Sequence, residues 1–163
     1  MSGVHLDPVH EYLPHGDPRG RILVVSDYRT LNLLHADALS AEGYAVYTAT
    51  TCTDVPQVFE RFAVDELDGV VFASLVHGWH HREGEERPEG IPETSDDEWH
   101  TRNIREVVES IRGRQERAPR VLVAAELMRY DFYQVTAEAL TAAGIVYQTY
   151  PAGDPHSIAD LLR

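Results

Sequence analysis

An aspartate at the end of an apolar run is the first residue in this chain equipped for chemistry: Arg21-Ile22-Leu23-Val24-Val25 leads into Ser26 and Asp27. Further polar groups follow two other apolar runs, Ser74 and His77 after one, Glu126 and then Arg129 after another. Hydroxyl, carboxylate and imidazole groups gathered beside an aromatic wall make a small-molecule pocket. Asp27, Ser74, His77 and Glu126 are expected to cluster in this way, with Trp79 as a lid and Arg129 facing an anionic ligand. The same region supports a different chemistry. Asp27, His77, His80 and His81, with His100 at the start of the next helix, offer the imidazole and carboxylate ligands that suit zinc or another transition ion in a metal or hydrolytic centre. However, His77-Gly78-Trp79-His80-His81 is no established ligand signature, and the glutamates around it read as a solvated loop. Cys52, the single cysteine, excludes an internal disulfide and reads as a small, semi-buried residue at a strand end.

Composition narrows the choice. All 14 basic residues are arginines, so lysine Schiff-base chemistry and a Walker-type phosphate loop are both excluded within this chain. A formal charge of −13 opposes non-specific attraction to nucleic acid or anionic lipid, and no direct nucleic-acid or membrane partner is expected. No apolar run approaches the ~20 residues that span a bilayer, and the first residues have neither a basic start nor an apolar core of a secretory signal. A cytoplasmic location is the expectation. At 163 residues the length suits one domain.

The elements that must position these groups follow from apolar spacing. Residues 1–20, broken by Pro8, Pro14 and Pro18, read as a flexible or loosely docked arm with no DNA-binding signal, and residues 21–163 as a single α/β domain. The run 21–25 is apolar at consecutive positions, which marks a strand covered by helices on both faces of a parallel sheet. Leu31, Leu34, Ala38 and Ala41 recur at helical spacing, and Gly43 supplies a left-handed stop. Residues 44–50 form a second strand, and Val55, Val58, Phe59 and Phe62 the face of a helix begun near Asp54. Residues 68–75 form a third strand. A long polar loop over 76–94 interrupts the alternation, and a capping box at 95–98 restarts it with Ile104, Val107, Val108 and Ile111 facing inward. Residues 121–125 are the fourth strand. Val135, Ala139 and Ala142 line a helix closed by Gly144, residues 145–150 make an edge strand, and Asp154-Pro155 starts a last helix through Leu161 and Leu162. The sum is a three-layer (βα)5 doubly wound parallel sheet.

Several of these stretches resemble the receiver domain of bacterial response regulators. They are Ile22–Asp27, the helix with Leu31, Leu34 and Ala38, residues 41–49, Asp68-Gly69-Val70-Val71-Phe72, residues 118–123, Ala142-Ala143-Gly144 and Pro151. The resemblance implies a flavodoxin-like fold with strand order 2-1-3-4-5 and a phosphoryl-accepting aspartate at the end of strand three. That position falls on Ala73, beside Ser74. Of the family's Mg²⁺-binding acidic pair only Asp27 is kept, with Ser26 as the other member. The hydroxyl residue that ends strand four becomes Ala124, and the lysine before the proline becomes Tyr150. Aspartyl phosphorylation needs a carboxylate nucleophile, a divalent ion and a neutralising cation. A degenerate receiver, or pseudo-receiver, is therefore expected.

The expected function is regulatory and non-enzymatic, with no cofactor, since no nucleophile, base and orienting group stand together. Its partners would be another protein chain, as in a homodimer, or a small ligand. The resemblance places the contact surface at Phe132, Tyr133, Tyr147 and Tyr150, residue types suited to interfaces that are apolar at one end and polar at the other.

Overall fold

A computed structural model of the chain describes residues 8–74, 97–128 and 135–163, with residues 97–100 described by their backbone. Along the chain run β1 (Val9–Tyr12), β2 (Arg21–Val25), α1 (Arg29–Ala41), β3 (Ala45–Ala49), α2 (Val55–Phe62), β4 (Gly69–Phe72), α3 (Asp97–Arg112), β5 (Arg120–Ala124), α4 (Ala137–Ala142), β6 (Tyr147–Tyr150) and α5 (Ser157–Leu161). The six strands form one sheet in the order β1-β3-β2-β4-β5-β6. All neighbours from β3 to β6 are parallel. Counted without β1, the order is the 2-1-3-4-5 of doubly wound, flavodoxin-like proteins.

The central strand explains the architecture. Ile22, Leu23, Val24 and Val25 are all 0% exposed, as a strand covered on both faces must be. Val70, Val71 and Phe72 on one side and Val46 and Ala49 on the other complete the layer. From α3, Ile104, Val107, Val108 and Ile111 pack inward as their spacing predicts. Gly43, at φ +98°, ends α1 in a Schellman turn: its N–H reaches Ser40 O and that of Tyr44 reaches Leu39 O. Gly144, at φ +77°, closes α4 in the same way, with Ile145 N–H bonded to Leu140 O.

Three expectations are corrected. Within the arm expected to be flexible or loosely docked, Val9–Tyr12 forms an antiparallel strand in register with Ala49 to Val46 of β3. Val9 is 1% exposed. The reason is long-range. Every residue of β3 is buried, and β1 gives its outer backbone groups partners that local spacing does not reveal. In α1 the buried face is Asn32, His35, Ala36, Ala38 and Leu39, while Leu33 and Leu34 are exposed. Two polar side chains that find partners inside take the place given to Leu34. The last helix begins at Ser157 with His156 at its N-cap, not at the Asp154-Pro155 start read from the sequence, and it ends at Leu161. The loop over 76–94, the capping box at Ser95 and the residues before Val135 lie outside the described residues, in none of which is there a helix long and apolar enough to cross a membrane.

Because β1 belongs to the packed sheet, Val9→Ala is expected to lower unfolding stability by ~1–3 kcal/mol in urea titration, where an undocked arm would give under ~0.5 kcal/mol.

Candidate functional site

Parallel pairing decides which polar groups meet. The register sets Val25 against Phe72, so the next pairs beyond the strands are Ser26 with Ala73 and Asp27 with Ser74. The ladder continues that far, with Ala73 N–H bonded to Val25 O at 3.2 Å and Ser26 N–H to Ala49 O at 3.1 Å. There the Ser74 hydroxyl donates to Asp27 Oδ1 at 2.6 Å. A serine has one proton to give, so in the 2.6 Å contact between Ser74 Oγ and Ser26 Oγ it is Ser26 that donates. Ser26 Oγ in turn accepts the backbone N–H of Tyr28 at 3.0 Å. The outcome is a directed chain, from Tyr28 N–H through two hydroxyls to a carboxylate. Ser26 is 0% and Ser74 7% exposed, while Asp27 is half-buried and meets solvent.

Helix α1 is fastened directly above this chain. Asn32 Nδ2 donates to Ser26 O at 3.1 Å and to Ala49 O at 3.4 Å, joining the helix to the ends of β2 and β3. Its Oδ1 is buried without a hydrogen-bond partner among the described residues, which costs about 1–3 kcal/mol. One turn on, His35 is 0% exposed. Its Nδ1–H faces Leu31 O at 2.8 Å, which leaves Nε2 to accept the Tyr150 hydroxyl at 2.7 Å. Burial pulls the imidazole below its ordinary value of 6.5, with the Leu31 carbonyl pushing the other way. The Tyr150 phenol is pushed well up, first by burial and then by the Glu126 carboxylate.

Of the residues singled out in the sequence, Asp27 and Ser74 are thus brought together. Glu126 follows β5 in a short 3-10 turn (Ala125–Met128), and its Oε2 accepts Ala152 N–H at 3.0 Å, so it fastens the loop after β6. Tyr147 is half-buried on the edge strand. Tyr150, expected on a contact surface beside it, is instead 1% exposed and pairs with His35 inside the domain. His77, Trp79, His80, His81, Arg129, Phe132 and Tyr133 lie outside the described residues, and His100 belongs to α3 by its backbone. Ser26, Asn32 and His35 are the members that sequence reasoning passed over. Ser26 is legible in the sequence as the hydroxyl that ends the strand, but not as a partner of Ser74.

A second buried polar group lies at the end of β3. The Asp54 carboxylate, 4% exposed, accepts the Thr51 hydroxyl at 2.7 Å, that of Thr50 at 3.3 Å and Gln57 Nε2 at 3.4 Å. Asp54 therefore organises the turn before α2 through side chains. Beside it, burial and then the Glu106 carboxylate push the Cys52 thiol up to about 12. A thiol held in that form is a poor nucleophile.

In chemical terms the strand ends offer one solvent-facing carboxylate backed by two oriented hydroxyls. Asp27 and Ser74 could contribute oxygen ligands to a hard cation, although such ions take six or more oxygens. Among the described residues no three His, Cys, Asp or Glu side chains stand close enough to hold a metal ion together.

No family model and no curated protein matches the chain. Solved structures do resemble it. A de novo designed Rossmann 2x3 fold protein shares 10% identity over 86% of each chain, at a TM-score of 0.44. The signal receiver domain of a protein named as a Luxo repressor, from Vibrio parahaemolyticus, shares 17% over 88% of this chain and 89% of its own, at 0.45. A response regulator receiver domain protein from Clostridium thermocellum shares 15% over 88% and 99%, also at 0.45. The fold assignment stands on strand order and register alone.

Two measurements follow from these environments. The lowered His35 value means that below pH ~6.5 the unfolded chain takes up a proton that the folded one refuses, so stability rises with pH through that window and is lost as pH falls. Urea titrations from pH ~8 to ~5 are expected to show this fall, and His35→Gln, which can accept from Tyr150 but does not titrate, to flatten it. Cys52 is expected to resist an aromatic disulfide reagent at pH ~8 in the native protein and to react at once in denaturant.

Proposed function

We propose that this chain is a receiver-like regulatory module that acts by binding a protein partner or a small ligand and accepts no phosphoryl group. One observation carries the reading: where β2 and β4 end together, the groups in contact are Ser26, Ser74 and Asp27. The receiver resemblance calls for an acidic pair and an acceptor aspartate in that place. Serine at position 26 removes one of the anionic ligands that gather Mg²⁺, and the acceptor position falls on Ala73, which is 4% exposed and has no side-chain oxygen. The neutralising lysine is missing as well, because the chain has none.

The contact surface of this reading is the open edge at β6. Tyr147 is half-buried there, Gln148 and Thr149 are exposed, and Val146 is 85% exposed. A strand with no outer neighbour among the described residues, beside an exposed apolar residue, suits a second protein chain, a copy of this one included.

The test is direct. After incubation with Mg²⁺ and acetyl phosphate, intact mass spectrometry is expected to find only unmodified protein, and beryllofluoride to leave amide resonances near Asp27 and Ser74 unmoved. A stoichiometric, hydroxylamine-labile phosphoryl adduct would overturn the reading.

A further inference from the structure

The opposite edge of the sheet carries the other feature. Where β2, β4 and β5 begin, a cleft of about 340 Å³ opens between the strand starts and the end of the chain. Its walls include Arg19, Arg117, Arg120, Asp68, Tyr44 and Leu162. Three arginines and one aspartate line it, in a chain whose formal charge is −13. Even with Glu66, which pairs with Arg117 Nε at 2.9 Å, positive charge is in excess here.

The cationic groups are held in place. Arg19 is fixed three times: its backbone N–H bonds Gly43 O at 2.8 Å, its guanidinium donates to Glu42 O at 3.1 Å, and its Cζ lies 5.5 Å from the centre of the Tyr44 ring. Gly43 makes this possible, since a Cβ there would come within 2.8 Å of Arg19 Cδ. Asp68 is similarly committed. It accepts Arg21 N–H at 2.8 Å and pairs with Arg117, and Gly20 leaves it room, as a Cβ there would sit 2.9 Å from Asp68 Oδ2. Arg120 is tied by its backbone, N–H to Asp68 O at 2.9 Å, while its guanidinium has no partner among the described residues. Only one of the five N–H donors of Arg19 is taken up by Glu42 O.

From this arrangement we propose that the cleft binds a small organic anion, a phosphate monoester or carboxylate joined to an apolar body. Arg19 and Arg120 take the anionic head, and Leu162, only partly covered, receives the body beside the buried Tyr44 ring. Guanidinium forks match the oxygens of both headgroups, and the cleft falls within the size range of small-ligand sites. Asp68 excludes a second anionic group from the side it occupies. The proposal does not depend on the absence of phosphorylation at the other edge of the sheet.

The probes are phenyl phosphate, benzoate, inorganic phosphate and phenol, titrated into the full chain at low salt while the amide resonances of Gly20, Asp68 and Arg120 are followed. Phenyl phosphate or benzoate is expected to give saturable shifts, and the tighter of the two identifies the headgroup. Inorganic phosphate and phenol, each lacking half of the recognised chemistry, are expected to bind at least about tenfold more weakly. Arg19→Ala and Arg120→Ala, both at exposed side chains, are each expected to weaken binding about tenfold, Arg120→Ala with an unchanged urea midpoint. If neither organic anion saturates, or if the double variant binds it as tightly as the parent, the proposal fails.

Discussion

A strand buried on both faces has no place for charge along its length, and this constraint orders the whole molecule. From Ile22 to Val25 no side chain reaches water, so the polar residues of β2 are confined to its two ends, Arg21 at one and Ser26 with Asp27 at the other. The same holds for its neighbours. Asp68 precedes β4 and Ser74 follows it, and β5 runs from Arg120 to the turn that bears Glu126. Because the five strands from β2 to β6 run parallel, their starts share one edge and their ends the other. Two chemically different sites on opposite edges follow from that alignment rather than from any local motif.

That constraint also explains how much of the molecule was legible in the sequence. Continuous apolar runs at 22–25 and 70–72 identified the central strands, and Gly43 and Gly144 marked helix ends because a left-handed residue is needed there. Asp27 and Ser74 could be paired in advance, since side chains at neighbouring parallel strand ends lie side by side. What escaped was set by distant partners. Val9–Tyr12 is four residues long and sits among prolines, and it is a strand only because β3 needs an outer neighbour. Asn32 and His35 look like residues of an exposed face until Ser26 O, Ala49 O, Leu31 O and the Tyr150 hydroxyl give them partners inside. Apolar periodicity cannot see a buried face built from satisfied polar groups, so it favoured Leu34, which the structure leaves exposed. The same pairing withdrew Tyr150 from the surface.

The serine-aspartate chain has a physical character of its own. Two carboxylates at neighbouring strand ends would repel each other and call for a cation between them. Ser26 and Ser74 instead link by a 2.6 Å hydrogen bond and pass their polarity in one direction to Asp27. Such a chain is satisfied internally, and charge-assisted bonds to the carboxylate are the stronger kind. It joins the two strand ends by hydrogen bonds.

Helix α1 touches both edges, as the strands beneath it do. At its first turn, Tyr28 N–H and Asn32 hold the Ser26 end of β2, and at its last, Glu42 O and Gly43 O hold Arg19 beside the arginine cleft. Between them His35 ties the helix to Tyr150 at the far edge strand. The sheet itself is close-packed and yields little, so a ligand that moved Arg19 would act first on the end of α1 and not on the strands. At the other end of α1, Asn32 holds Ser26 O and Ala49 O through its Nδ2, while its Oδ1 has no partner among the described residues. A shift of α1 would therefore act on the hydrogen bond to Ser26 O, next to Asp27.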